Sequence, residues 1–174
     1  VAGVDAYPDG RTVGSGLPAP IIDCNSIGIR SKYHVTGDLS EVFRTDVMRE
    51  FPFPEIEGEK FCPEVLVWNR IAYKYKLRYF NEAIYIAEYQ PEGLTARIVE
   101  IRMKSPTATT TCYAEMVSLK LPFKEKVKAA TNYWRFRFCC KGKKNVAKIG
   151  WLWKCVCPLG WLMHMKDIRS VKDK

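Results

Sequence analysis

A proline-rich loop that runs directly into a helical pattern, residues 51–72, constrains the fold of this 174-residue chain more than any other feature. Pro63 suits the first position of a helix, because its missing N–H would be unpaired there in any case. Apolar residues then recur with helical spacing, at Val65, Leu66, Trp68, Ile71 and Ala72. The pattern predicts a loop followed by a helix from Pro63 to about Tyr75, with Glu64 in its first turn.

Four glutamates gather on this loop and helix start: Glu55, Glu57, Glu59 and Glu64. A carboxylate in the first turn of a helix is stabilised by the positive end of the helix dipole. Glu64 should therefore be ionised near neutral pH and able to accept a proton as a general base. The simpler interpretation is that Glu64 is only a favourable first-turn charge and that the other three belong to a solvated loop.

Short segments between Thr36 and Thr95 carry a resemblance to a known family. They are Thr36-Gly-Asp38, Val42-Phe-Arg44-Thr-Asp46, Phe53-Pro-Glu55, Gly58-Glu-Lys-Phe61, Pro63-Glu64, Asn69-Arg-Ile-Ala72, Asn81-Glu82 and Glu88-Tyr89-Gln-Pro-Glu-Gly-Leu-Thr95. These segments closely resemble the second half of bacterial family-2 glycosyltransferases of GT-A fold. The resemblance implies an α/β fold, with a partial, Rossmann-like GT-A domain over residues 1–95 and a helical C-terminal region over residues 96–174.

The resemblance also implies which residue acts as the base. In the family an acidic pair, followed by an arginine six residues after its second member, supplies the group that deprotonates the acceptor hydroxyl. Arg70 lies six residues after Glu64, so Glu64 falls on the base position, and Pro63 replaces its acidic neighbour. Glu59, in Gly-Glu-Lys, is the competing candidate.

Four further residues are implied to bind substrate: Asp38, Arg44, Lys60 and Arg70. Asp38 and Arg44 border the active site in the resembling enzymes, and the planar guanidinium of arginine pairs well with oxyanions. The alternative is that Asp38 caps the segment that follows it, Leu39–Phe43, and that Arg44 is a surface charge.

The family holds its nucleotide-sugar donor through an Asp-x-Asp motif and a divalent metal, Mg²⁺ or Mn²⁺, and no Asp-x-Asp occurs in this chain. We therefore expect the donor-binding half to lie upstream of Val1. Residues 1–174 alone are expected to bind no metal and to be inactive. They are also expected to self-associate through exposed sheet edges. The whole enzyme is expected to move a sugar from a nucleotide-sugar donor to a hydroxyl acceptor, in bacterial surface polysaccharide or glycolipid synthesis.

Charge separates the two parts of the chain. Residues 1–100 hold 11 Lys and Arg against 15 Asp and Glu, whereas residues 101–174 hold 17 against four, a net charge of +13. After Asn132, aromatic residues alternate with basic ones, and Trp151, Trp153 and Trp161 stand among lysines. Such a segment is typical of a helix lying on an anionic membrane surface, where Trp sits at the headgroup level and Lys reaches anionic lipid.

Two other interpretations of the C-terminal region remain. Its tryptophans could instead be core residues, and the freestanding chain could be a non-catalytic basic-aromatic module that docks on a membrane or a partner subunit. We expect no nucleic-acid partner. The seven cysteines, an odd number without the regular spacing of a secreted scaffold, favour a reducing compartment. The expected location is the cytoplasm, with the inner face of the membrane as the site of peripheral attachment.

The remaining elements follow from apolar runs and breaker residues. We expect a strand at Val42–Arg44, and two strands, Leu77–Phe80 and Ala83–Tyr89, joined by a turn at Asn81-Glu82. Helices are predicted over Leu94–Lys104, Thr110–Lys120 and Phe123–Phe138, with breaks at Pro106 and Pro122.

Overall fold

The computed structural model describes residues 1–143 and 145–172, which divide into two compact units. Unit 1 contains Val1–Pro52 and Val67–Pro91, and unit 2 contains Phe53–Leu66 and Glu92–Lys174. The predicted boundary after residue 95 lies close to the one at Glu92. The loop Phe53–Leu66, which we expected in the first domain, belongs to unit 2, because its polar groups bond to the helices of that unit.

Unit 1 is built on a four-stranded mixed sheet. Its strands are β1 (Ala2–Ala6), β2 (Ile21–Cys24), β3 (Leu39–Glu41) and β4 (Leu77–Ile86), in the order β2-β4-β1-β3. β1 runs parallel to β4, and both outer pairs are antiparallel. The helices of this unit are α1 (Ser26–Ser31), α2 (Thr45–Glu50) and most of α3 (Glu64–Ile71), whose first three residues are assigned to unit 2. A mixed sheet and helices in one chain confirm the expected α/β class.

The prediction of a turn at Asn81-Glu82 is wrong, because β4 runs through both residues as one strand. The N–H of Asn81 donates to the carbonyl of Pro20 at 3.0 Å, and its side-chain oxygen accepts the N–H of Leu17 at 3.0 Å. These bonds to the segment before β2 satisfy the polar groups that, in sequence, favoured a turn.

The strand expected at Val42–Arg44 lies three residues earlier, at Leu39–Glu41, where it pairs with β1. Arg44 instead takes the N-cap position of α2, in an extended conformation, so the chain is already entering a helix there. The helix predicted from Pro63 to Tyr75 is confirmed at its start but ends at Ile71.

The core of unit 1 has two parts. The larger surrounds the sheet and contains Ala2, Val4, Leu17, Ile22, Ile29, Val35, Leu39, Leu77 and Tyr79. The smaller joins Val47 of α2 to Val67 and Ile71 of α3. α3 therefore uses its apolar positions to pack against α2, and Glu64 is the one polar residue of its first turn.

Unit 2 is helical. Its elements are α4 (Ile98–Lys104), α5 (Pro106–Ser118), α6 (Phe123–Arg137), a 3₁₀ helix (Trp151–Val156) and α7 (Cys157–Lys172). The helix predicted at residue 123 is confirmed to within one residue of its end. The other two predicted helix starts are wrong. α4 begins four residues after Leu94. α5 begins at Pro106 rather than Thr110, because a proline in the first turn starts a helix as readily as it ends one.

α6 and α7 approach each other closely at Gly160. A Cβ added at this glycine would lie 2.5 Å from the Trp134 Cβ and 2.8 Å from the Thr131 carbonyl oxygen. One helical turn further along α6, Arg135 forms a buried, two-pronged ion pair with Asp167 of α7, with nitrogen–oxygen distances of 2.5 and 2.7 Å. These contacts fix α7 against α6, and the face of α7 that carries Gly160 and Asp167 is buried.

The helices of residues 1–143 and 145–172 include none whose length and apolar content would let it cross a bilayer.

Candidate functional site

Glu59, the competing base candidate, is anchored to the start of α5. One carboxylate oxygen accepts the backbone N–H of Thr107 at 2.8 Å, and the other accepts that of Ala108 at 2.9 Å. The Lys143 ammonium lies 3.1 Å from the first oxygen, and only 1% of the Glu59 side chain is exposed. Glu59 thus satisfies two N–H groups that the first turn of a helix leaves unpaired.

Two opposing influences set the pKa of this carboxyl group. Burial of Glu59 would raise its pKa, but the hydrogen bonds from Ala108 and Thr107 and the charge of Lys143 outweigh burial and lower it. Glu59 is therefore an ionised, fully engaged carboxylate at neutral pH. A further hydrogen bond, which the Phe61 N–H donates to the Ser105 hydroxyl at 3.2 Å, holds the same loop to the start of α5.

Glu64 has a different environment. It is exposed, in the first turn of α3, immediately after Pro63 as the sequence indicated. Arg70 lies in the last turn of the same helix and is half-buried. Six residues correspond to about 600° of helix rotation, so Arg70 projects roughly 120° away from Glu64 around the axis. The helix alone does not place the two side chains on one face.

An open groove of about 710 Å³ lies along the loop in unit 2. Its lining consists of Phe53, Pro54, Glu55, Ile56, Glu57, Glu59, Lys60, Phe61, Cys62 and Ala108. Lys60, Glu55 and Glu57 are exposed at this groove. The lining stops at Cys62, two residues before Glu64. The groove therefore brings together Lys60 and three of the four glutamates, with Glu64 just outside it.

Asp38 lies in unit 1, where it accepts a hydrogen bond from the Tyr89 hydroxyl. This bond is the main reason why the pKa of Tyr89 rises to about 12. The following residues, Leu39–Glu41, form β3, and the bond of the Asp38 carboxylate goes to Tyr89 rather than to the segment that the alternative had it cap. Asp38 and Tyr89 are both exposed, and together they form a small polar site at the surface.

Arg44 is an exposed residue that pairs with a near neighbour. Its guanidinium donates two bonds to the Asp46 carboxylate, at 3.0 and 2.6 Å. The hydrogen bond to Asp46 is also the main cause that raises the pKa of Arg44. Both side chains of this pair are largely exposed, so an incoming phosphate could exchange with Asp46 at low cost.

Sequence reasoning missed a polar cluster between α6 and α7. The Cys139 sulfur lies 3.7 Å from His164 Nδ1, and Asp167 lies one turn beyond His164. Burial first, then Cys140 and Asp167, raises the pKa of the Cys139 thiol to about 11, and burial lowers that of His164. A protonated thiol beside a neutral imidazole is not an activated nucleophile. The i, i+3 spacing of His164 and Asp167 was the only signal in the sequence.

The four tryptophans of unit 2 divide by role. Trp134 donates its Nε1–H to the carbonyl of Trp153 at 2.8 Å, and Trp153 packs with the apolar cluster of α5 and α6. Trp151 and Trp161 are instead exposed, at 75% and 49%. The core and membrane interpretations of the C-terminal tryptophans therefore each fit a different pair of residues.

A second groove, which we call the basic groove, has a volume of about 420 Å³ and lies on α6 and the segment after it. Its lining consists of Tyr133, Trp134, Arg137, Phe138, Lys141, Lys148, Ile149 and Lys154. Four of these residues are cationic, three are aromatic and none is acidic. The basic and aromatic residues that alternate after Asn132 in sequence thus meet in one concave surface of unit 2.

Within residues 1–143 and 145–172, no group of three or more His, Cys, Asp and Glu side chains is arranged to hold a metal ion. The expectation that this chain binds no metal stays a prediction. Comparison with known proteins adds no family to these observations, since no family model, no curated protein and no solved structure matches the chain.

Proposed function

We propose that this chain is the acceptor-side part of a glycosyltransferase, in which Glu64 is the general base. A sugar hydroxyl is a poor nucleophile, and attack on an anomeric carbon is assisted when a positioned carboxylate takes its proton. The observation that supports the choice of Glu64 is its position, exposed in the first turn of α3 and next to the groove of the proline-rich loop.

The contacts of Glu59 favour a structural role for that residue. Both of its oxygens already accept backbone N–H groups, and its side chain is almost completely buried. Taking a proton from a substrate would require breaking these bonds. Glu59 then serves the proposed site indirectly, by holding the loop that forms the groove against α5.

The remaining candidates fit binding roles on the acceptor side. Lys60 is exposed at the groove and could contact a hydroxyl or an anionic group of the acceptor. Asp38, Arg44 and Arg70 stay proposed substrate-binding residues. The resembling family binds its nucleotide sugar through carboxylates and a divalent metal, and the proposed donor-binding half would supply them. No step of the mechanism is therefore assigned to a metal in this chain.

The test is a pair of matched substitutions in a protein that carries this chain together with a donor-binding half. Glu64→Gln keeps the shape of the side chain but cannot accept a proton, so turnover should fall by about 10² to 10⁴-fold while donor binding and stability stay near wild type. Glu59→Gln should instead lower stability. Wild-type turnover in Glu64→Gln would rule out the assignment.

A second candidate function is docking of unit 2 on an anionic membrane surface. The observation that favours it is a set of large apolar side chains left exposed on the 3₁₀ helix and the first turns of α7: Trp151, Leu152, Leu159, Trp161 and Leu162. Lys166 and Arg169 follow on the exposed part of α7. Apolar residues that enter the headgroup region, with basic residues beside them, combine the two attractions that hold peripheral helices on membranes.

Vesicle co-sedimentation tests this docking. Partitioning should rise with the fraction of anionic lipid, weaken at high salt and persist in part, because salt screens charges but not apolar contacts. Replacing Trp151 and Leu152 by Ser should reduce the salt-resistant part, whereas Trp153→Phe, in a packed position, should not. If the wild-type chain ignores anionic vesicles at low salt, the exposed residues do not serve membrane docking.

A further inference from the structure

The basic groove is held open by two hydrogen bonds. The hydroxyl of Tyr133 donates to the carbonyl of Ala147 at 2.8 Å, and Trp134 donates to the carbonyl of Trp153 at 2.8 Å. These bonds tie the segment that carries Lys148 and Lys154 to α6, which carries Arg137. The cationic side chains are therefore held around one groove by backbone contacts, independently of any ligand.

The charges of the groove have no counterpart among the described residues. Elsewhere in unit 2, cations pair with carboxylates, as Arg135 does with Asp167 and Lys128 with Glu125. In the part of the chain that the structure describes, Arg137 and the three lysines of the groove form no such ion pair. Four like charges around one concavity raise its positive potential and favour an anion there.

We propose that the basic groove binds the phosphate group of an anionic membrane lipid. This inference rests on the membrane docking proposed above and names the ligand that gives it selectivity. Arg137 suits a phosphate through its planar fork, and the three lysines add mobile charges around it. The aromatic side chains of Trp134 and Phe138 form walls against which the glycerol and upper acyl region of a lipid can pack.

The position of Trp151 favours a lipid as the source of the phosphate. In a 3₁₀ helix, side chains at positions i and i+3 lie on the same face, so Trp151 shares a face with Lys154 at the groove. A 75% exposed tryptophan beside a phosphate site is suited to the headgroup level of a bilayer. Free phosphate would gain nothing from this exposed ring.

Isothermal titration with monomeric dihexanoyl phosphatidic acid tests the groove without a bilayer. The full chain should bind this lipid more tightly than inorganic phosphate. Lys141→Glu with Lys148→Glu should weaken binding by about ten-fold or more, because two attractive charges become repulsive. Lys120→Glu with Lys124→Glu, which changes the net charge equally at two exposed lysines outside the groove, is the matched control and should bind as wild type does.

Vesicles of phosphatidylcholine with and without 20% phosphatidylglycerol, on the order of a natural anionic fraction, separate the two proposals. If the groove is the phosphate site, its double variant loses the preference for anionic vesicles and keeps salt-resistant partitioning. Equal losses in the groove variant and the control would overturn the groove. Binding of the soluble lipid without any binding to vesicles would overturn the proposed membrane docking. Equal affinity for inorganic phosphate would show that the phosphate need not come from a lipid. Tighter binding of single-stranded DNA would assign the groove to nucleic acid.

Discussion

Replacing Glu59 by Gln should destabilise unit 2 without touching the proposed chemistry. The amide keeps the volume of the carboxylate and one of its acceptors, but its NH₂ group faces a backbone N–H of the α5 first turn, so two buried donors meet. An unsatisfied buried donor costs about 1–3 kcal/mol, and loss of the negative charge at a partly buried helix start adds roughly 0.5–1 kcal/mol. We therefore expect a loss of about 1.5–4 kcal/mol in the free energy of unfolding.

Urea unfolding followed by tryptophan fluorescence measures this loss, because four of the five tryptophans, all except Trp68, belong to unit 2. Amide exchange at Thr107 and Ala108 should accelerate in the same variant. Lys143→Met is a graded control, expected to cost about 1 kcal/mol or less, since an ion pair that remains one-third exposed is weak.

The pH dependence gives an independent check with a defined sign. The folded pKa of Glu59 lies below its ordinary value near 4.5, so its contribution is present above pH 4.5 and is lost as the pH falls through the folded pKa. The stability difference between wild type and Glu59→Gln should shrink over that range. Equal stability of the two proteins at pH 7, or an equal loss in Glu64→Gln, would refute the reasoning.

Two further perturbations have outcomes that the contacts determine. Gly160→Ala should lower the free energy of unfolding of unit 2 by roughly 1–3 kcal/mol, because its Cβ would meet α6 at 2.5 Å. Gly150→Ala should be tolerated, because the nearest atom to its Cβ is 3.8 Å away. Urea unfolding compares the two variants. Asp38→Ala should bring the pKa of Tyr89 down from about 12 toward its ordinary value of 10, measured by NMR titration of ¹³C-labelled tyrosine, and an unchanged pKa would show that Asp38 is not its cause.

The sequence predicted best those features that depend on neighbouring residues. The start of α3 after Pro63 and the start of α6 after Pro122 follow from rules that act within one helical turn, and both are confirmed. The break in β4 was predicted from the local turn preference of Asn81-Glu82. β1, some 77 residues away along the chain, pairs with β4 on both sides of these two residues, at Phe80 and Ala83, and the strand runs through them in spite of that preference.

In the candidate site, too, features set by neighbouring residues could be predicted and contacts between distant residues could not. The place of Glu64 in the first turn of α3 follows from Pro63, the residue before it. The contacts of Glu59 could not be predicted, because they join it to Thr107 and Lys143, 48 and 84 residues later. The sequence also could not predict which of Trp151 and Trp153 is packed, because the bond that identifies Trp153 comes from Trp134, 19 residues earlier.

The two-part construction of unit 2 has a consequence for the order of events during synthesis. Phe53–Leu66 leaves the ribosome long before α5 and Lys143 exist, so the buried carboxylate of Glu59 spends that interval in water. Closing a loop of 84 residues costs about 4 kcal/mol of chain entropy, which only the finished helices of unit 2 can offset. Since domains fold as units during synthesis, the proline-rich segment should be among the last parts of unit 2 to gain protection, and a nascent chain stalled before residue 143 should present it to proteases.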